Sequence, residues 1–303
     1  MFNKLLANTL PYMPKKLIWI FSKRYIAGET IEDGLKASRV LNQHGVEVTI
    51  DLLGEFISTI EQAEENKNQY LTIIDRFTSE GIIGNFSLKP TMFGLLIDQE
   101  ICYNYIEAIV RKAAEKNSFV RIDMEDSQCV DTELSIYKKL QHRYPKNVGL
   151  VIQAYLRRTK NDLTNLNNIH SNGTPLNFRL CKGIYIEPKQ IAFIAYDEVR
   201  EHYLDDLQYM FDNNMYVGIA THDRYLVDQA INMIKEKNID QSKYEFQMLY
   251  GVTPELRNYI VQQGHKMRVY VPFGKEWFGY STRRLKENPK MATHIIKALF
   301  FRG

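Results

Sequence analysis

The sequence predicts an α/β fold: a (β/α)8 TIM-like barrel in residues 46–303, preceded by a helical arm in residues 1–45. Three observations lead there. Eight strand-like runs alternate with helical segments from about residue 46 onward. Several of those runs are nearly continuous apolar stretches, as parallel strands covered on both faces require. Eight such units in the length that remains match the roughly 250 residues of this fold. An open doubly wound sheet is the competitor. It is disfavoured because the count closes at eight and no GxGxxG follows the first strand.

In chain order the expected strands are 46–53, 84–89, 119–124, 148–156, 178–182, 216–221, 244–249 and 267–271. Helical periodicity is clear at 98–116, 132–144 and 195–213. The last strand carries Val269 and Val271 and is broken by Phe273-Gly274, after which 276–287 has helical composition. In that helix Tyr280, Arg283, Arg284 and Glu287 fall at i, i+3, i+4 and i+7, so they share one face. No internal repeat or low-complexity linker marks a second domain.

Composition is that of a soluble globular chain, with 45% apolar and 25% charged residues. The net charge of +3 is too small to argue for nucleic acid. Cys102, Cys129 and Cys181 have no metal or CxxC spacing, and so sparse an odd set fits a reducing, cytoplasmic compartment. No cleavable signal is visible, and no run approaches the ~18–20 apolar residues of a spanning helix. Lys4, Lys15, Lys16, Lys23 and Arg24 precede the first acid, Glu29, and are interleaved with Leu5, Leu6, Leu17, Ile18, Trp19, Ile20 and Phe21. Residues 4–24 either lie on an anionic membrane surface or form a helix packed on the main domain, the second being preferred.

Barrel enzymes place their chemistry at the C-terminal ends of the strands. Those ends offer Asp51 and Glu55, Lys89, Asp123 and Glu125, then Gln153 with Arg157. They continue with Arg179, Lys182 and Tyr185, then Thr221 and His222, Gln247 and Tyr250, and Tyr270. Arg283 and Arg284 read as a grip for a small carboxylate, with Lys89 as a third cation; the bland alternative is a surface helix face paired with Glu287. Arg179 shares a side of its strand with Cys181, and inside a barrel it needs an anion or hydrogen-bond acceptor. A cofactor rich in carbonyls and ring nitrogens would serve. Gly183 permits close backbone approach. His222 is either a structural hydrogen-bonding group or a base. No nucleophile motif and no HExxH spacing is present.

The stretch RVYVPFGKEWFGYSTRRLKENP (268–289) resembles the signature of the FAD-dependent proline dehydrogenases. TIDLLGE (49–55), FSLKPT (86–91), VRIDMED (120–126), VIQAYLRR (151–158), FRLCKGIY (178–185), GIATHD (218–223) and EFQMLYGV (245–252) are similar to family motifs in the family's order. The resemblance implies a distorted (β/α)8 barrel. It implies that Arg283, Arg284 and Lys89 bind the proline carboxylate, and that Tyr270, Tyr280 and Leu249 pack on the ring with Tyr185 nearby. Arg179 would bond the isoalloxazine near its reactive nitrogen and Gln153 its pyrimidine edge. Gly183, Ile184, Thr221 and His222 would line the FAD, Cys181 would stand where the family commonly has valine, Asp123 would lie below the flavin, and Glu287 would fall near the adenosine or anchor its helix. Ile184 replaces the usual small residue, His222-Asp223 stands for histidine-asparagine, and the family's threonine-lysine element has no counterpart in 192–204.

The implied activity is oxidation of L-proline to Δ1-pyrroline-5-carboxylate by FAD, the first step of proline catabolism to glutamate. Electrons would pass to a membrane quinone, and a separate pyrroline-5-carboxylate dehydrogenase would be a partner. A hydroxyproline-type flavin oxidoreductase, a non-catalytic amino-acid-binding barrel and a metal-dependent hydrolase are the alternatives. The bulk of Tyr270 and Tyr280 favours unsubstituted proline over the first.

Overall fold

The computed structural model describes residues 18–19, 22–54, 57–168 and 173–287, the side chains of 283–287 excepted. Eight parallel strands close a barrel in chain order, with β8 pairing back onto β1. They are β1 (Glu47–Leu52), β2 (Gly84–Leu88), β3 (Val120–Ile122), β4 (Val148–Gln153), β5 (Asn177–Cys181), β6 (Tyr216–Ala220), β7 (Tyr244–Leu249) and β8 (Met267–Phe273). Helix α1 (Ile31–Gln43) precedes β1, and α2 (Ile60–Ser79), α3 (Gln99–Glu115), α4 (Val130–Arg143) and α5 (Thr159–Asn168) follow β1 to β4 in turn. Helices α6 (Tyr196–Asp212), α7 (Arg224–Glu236), α8 (Pro254–Gln262) and α9 (Trp277–Glu287) follow β5 to β8.

The expected barrel is present, with β3 and β4 ending well before their apolar runs do. After β3 the chain leaves the sheet, because the Glu125 N–H donates to the Glu133 carboxyl instead of a neighbouring strand. After β4 it turns, the Leu156 N–H donating back to the Gln153 carbonyl. Outward residues such as Ile50, Leu88, Ile122, Leu180 and Val269 are buried between sheet and helices.

The inward residues are unusual. Barrel interiors of this class are dominated by branched apolar side chains; this one is polar along much of its length. At the N-terminal end, Arg268 on β8 donates to Glu245 on β7 through Nε (2.6 Å) and Nη2 (2.9 Å), and also meets Glu47 on β1. One layer up, Thr49 on β1 donates to Asn85 on β2 at 2.6 Å. A charge held away from water is tolerable only when paired and hydrogen-bonded.

The chain ahead of β1 is packed on the barrel. Helix α1 lies across β1 and β8, with Leu35 and Leu41 in the main core. The Ala27 N–H donates to the Pro272 carbonyl (2.9 Å) and the Gly274 N–H to the Gly28 carbonyl (3.0 Å). Gly251, at φ +72°, lies so close to Arg24 that an added Cβ would stand 1.7 Å from the Arg24 carbonyl oxygen. Ile18, Tyr25 and Ile26 form a second apolar cluster with Leu53, Trp277 and Tyr280. The basic residues Lys4, Lys15 and Lys16, and also Glu55, lie outside the described residues. Among the described residues no helix is long and apolar enough to cross a membrane.

Burial alone would raise the pKa of Glu245; the adjoining Arg268, then Lys266 and a hydrogen bond from Gln247, outweigh it and hold the carboxyl at about 2, against an ordinary 4.5. A depressed carboxyl pKa contributes stability above the unfolded value that is lost as pH falls through the folded one. Urea titrations are therefore expected to show stability falling between about pH 4.5 and 2, with a shallower fall in Glu245→Gln. At neutral pH Arg268→Ala, which leaves Glu245 buried without its main cation, is expected to cost about 3–5 kcal/mol.

Candidate active site

The strand ends of β2, β3, β5 and β8 converge on Asp123. Its Oδ1 accepts from the Ser87 hydroxyl at 2.6 Å and from Arg179 Nη1 at 2.9 Å. Its Oδ2 accepts from the Tyr270 hydroxyl at 2.9 Å and from Lys89 Nζ at 3.4 Å. Lys89 Nζ also stands 3.6 Å from Asp51. The result is two carboxylates facing two cations in a nearly dry interior. Burial would raise the Asp123 pKa, but Lys89 and Arg179, with hydrogen bonds from Ser87 and Tyr270, hold it below the usual carboxylate range. Burial and then the Asp123 charge push the Tyr270 phenol well up, so it stays a neutral donor.

Arg179 is shared between layers. Its Nε donates to Gln247 Oε1 at 2.6 Å, and the Gln247 amide donates to Glu245 at 2.7 Å. Its guanidinium lies 5.1 Å from the centre of the Tyr270 ring. Its Nη2 is buried and finds no acceptor among the described residues. A buried donor of this kind normally has one.

Around this centre the other strand ends form a rim. Gln153 pairs in register with Cys181, and its amide donates to the Glu125 carbonyl at 2.8 Å. Burial pushes the Cys181 thiol up to about 11, so it is not a thiolate nucleophile. Gly183, at φ +106°, has the Tyr155 ring 2.1 Å from where a Cβ would stand, so no larger residue fits. Ile184 beyond it is exposed and Tyr185 half-buried. Thr221 accepts the Asp223 N–H at 3.1 Å. His222 Nε2 accepts the backbone N–H of Leu249 at 2.9 Å, which ties the ends of β6 and β7. The lone pair a general base would need is thus already used, which favours the structural reading of this histidine.

In the segment 192–204, α6 points Tyr196 and Arg200 at Asp223, the N-cap of α7. Tyr196 donates at 2.6 Å, and Arg200 donates through Nε and Nη2 at 2.9 Å each. Lys182 stands 3.6 Å away.

Lys89, Asp123, Arg179 and Tyr270 are therefore brought into one network, with Gln153, Cys181 and Gly183 beside it and Leu249 at the end of β7. Tyr280 is buried among Ile18, Tyr25, Ile26 and Trp277, on the side of α9 that meets the arm. Arg283, Arg284 and Glu287 lie on α9, and their side chains are outside the described residues. Ser87 had no assigned part from the sequence, and Gln247 was only a strand-end residue. The signal for both was the period of two: Asn85, Ser87 and Lys89 alternate with Phe86 and Leu88, as Glu245, Gln247 and Leu249 do with Phe246 and Met248.

The family model for proline dehydrogenase matches residues 34–296. The chain is 35% identical over 276 residues to proline dehydrogenase 2 of Bacillus subtilis (strain 168), covering 91% of this chain and 89% of that protein. It is 29% identical over 291 residues to proline dehydrogenase of Deinococcus radiodurans, covering 95% and 92%. The crystal structure of proline utilization A from Bdellovibrio bacteriovorus, inactivated by N-propargylglycine, superposes with a TM-score of 0.86 at 24% identity. That likeness, which concerns the fold, covers 95% of this chain and 36% of the other. A family match over most of the barrel and relatives matched over nearly their whole length lead to one conclusion: the chain belongs to the proline dehydrogenase family.

Proposed function

We propose that this protein oxidises L-proline to Δ1-pyrroline-5-carboxylate with FAD as its cofactor. Family membership makes it an oxidoreductase acting on proline; the cofactor and the roles of single residues are inferred from the site. The observation that carries the reading is the Asp123 network with a buried donor, Arg179 Nη2, that finds no acceptor among the described residues. A flavin ring system, edged with carbonyls and nitrogens, matches that need. Arg179 and Gln153 would hold the ring, Asp123 would lie below it, and Cys181, Gly183, Ile184, Thr221 and His222 would line the rest of the cofactor, with Glu287 toward the adenosine. The chemistry supplied by bound FAD is acceptance of a hydride from the carbon next to the proline nitrogen.

The chain's own residues do the rest. Arg283 and Arg284, with Lys89, grip the substrate carboxylate; a planar guanidinium does this in a bidentate way. That grip fixes the ring in a reactive orientation. Tyr270, Leu249 and Tyr185 enclose the ring and exclude water, while Tyr280, packed among the arm residues, seats the helix that carries the two arginines. The cations near the carboxylate disfavour a positive ring nitrogen, which favours the free amine from which hydride leaves. Arg179 would supply a positive donor that favours negative charge on the cofactor. Reoxidation is assigned to a membrane quinone, and the product to a pyrroline-5-carboxylate dehydrogenase that carries it toward glutamate.

The purified protein is expected to show flavin absorbance that anaerobic L-proline bleaches; a colourless protein that takes up no FAD on reconstitution contradicts the reading. Arg283→Ala is expected to retain FAD while its KM for proline rises roughly 10–100-fold, the worth of one charged hydrogen-bonded contact. An unchanged KM would remove the carboxylate role.

Quinone access gives the basic segment 4–24 a proposed role at an anionic membrane surface. The apolar side of its described part is used against the barrel, while Lys23 and Arg24 are exposed. Charge reversal at Lys15, Lys16 and Lys23 is expected to weaken binding to anionic liposomes; equal binding rejects this role.

A further inference from the structure

We propose that Glu125 is a positioning residue, which holds the Lys89 turn and the Gln153 amide in place without touching substrate or cofactor. It rests on the roles proposed above for Lys89 and Gln153. Glu125 is 5% exposed and lies two residues beyond Asp123. Its Oε2 accepts the Thr91 backbone N–H at 2.9 Å, and its Oε1 the Thr91 hydroxyl at 2.7 Å. Thr91 belongs to the 3-10 turn Pro90–Phe93 that begins directly after Lys89. The two bonds pin that turn, and with it the backbone from which the Lys89 side chain extends.

The Glu125 main chain works in the opposite direction. Its carbonyl accepts from Gln153 Nε2 at 2.8 Å, which fixes the rotation of that amide. Its N–H donates to both oxygens of Glu133, at 3.0 and 3.2 Å. Burial and then the Glu125 charge push the Glu133 carboxyl well up. One residue therefore couples the end of β2, the end of β3 and the end of β4. The proposed carboxylate cation and the proposed flavin contact share a single anchor.

The test compares Glu125→Ala, Glu125→Gln, Thr91→Val and Lys89→Ala as FAD-loaded enzymes. Glutamine keeps an oxygen for the Thr91 N–H and an N–H for the Thr91 hydroxyl. Glu125→Gln is thus expected to keep the proline KM within about twofold, with an unchanged flavin spectrum. Glu125→Ala releases the Thr91 turn, while its main-chain carbonyl still offers itself to the Gln153 amide; KM is expected to rise about tenfold or more with flavin content retained. If that variant does not fold, Thr91→Val carries the test, with a KM rise of roughly threefold or more at full flavin content. A purely structural role lowers the melting temperature but leaves KM unchanged, and that result overturns the proposal. So does a Glu125→Gln as impaired as Glu125→Ala. If KM rises in Lys89→Ala but in neither the Glu125 nor the Thr91 variants, positioning fails while the site reading stands. If Lys89→Ala leaves KM unchanged, the site reading fails and takes the proposal with it.

Discussion

The buried carboxylate of Asp123 is the constraint on which the rest of this barrel depends. Two cations, Lys89 just beyond β2 and Arg179 on β5, are held inside the protein with this carboxylate as their shared partner. Removing one partner of such a set leaves the others charged and uncompensated, which costs more than the pair contributes. The dependence extends down the barrel. Glu47 and Arg268, Arg268 and Glu245, Glu245 and Gln247, Gln247 and Arg179, and Arg179 and Asp123 are each in direct contact. A chain of polar contacts thus runs from one end of the interior to the other.

That arrangement links stability to chemistry. A site that stabilises developing charge works best when its donors are already oriented before substrate arrives. Here the orientation comes from the barrel itself: Arg179 has its Nε and Nη1 committed to Gln247 and Asp123, and its Nη2 has no acceptor among the described residues. Lys89 is held between Asp51 and Asp123, which fixes the position of its ammonium group. The arm adds a second link. Trp277 at the start of α9 donates to Glu29 at 2.7 Å and packs on Trp19 at 4.7 Å between ring centres. The helix that carries Arg283 and Arg284 is therefore seated on residues that precede the barrel in sequence.

Much of the fold was legible in the sequence because the outward side of each strand must be apolar. Residues such as Phe86, Leu88, Phe246 and Met248 leave an obvious trace. The ends of β3 and β4 were not legible, since the chain leaves the sheet there through hydrogen bonds to a side chain and a turn that apolar runs do not encode. Within the site, charged residues at strand ends stood out, but Ser87 and Gln247 did not. They matter only because closure of the barrel brings Ser87 within reach of Arg179, 92 residues away, and Gln247 within reach of it from 68. The burial of Tyr280 against residues 18–26 is hidden for the same reason: its partners lie at the far end of the chain.

The central claim is that the Asp123-anchored Arg179 offers its remaining donor to the bound flavin. The midpoint potential of the flavin in Arg179→Met, measured beside the wild type, tests it most directly. Loss of one charged hydrogen bond, worth about 1.5–3 kcal/mol, is expected to lower the two-electron potential by roughly 30–60 mV, at about 30 mV per 1.4 kcal/mol. A potential that is unchanged or higher, with FAD fully bound, would contradict the account.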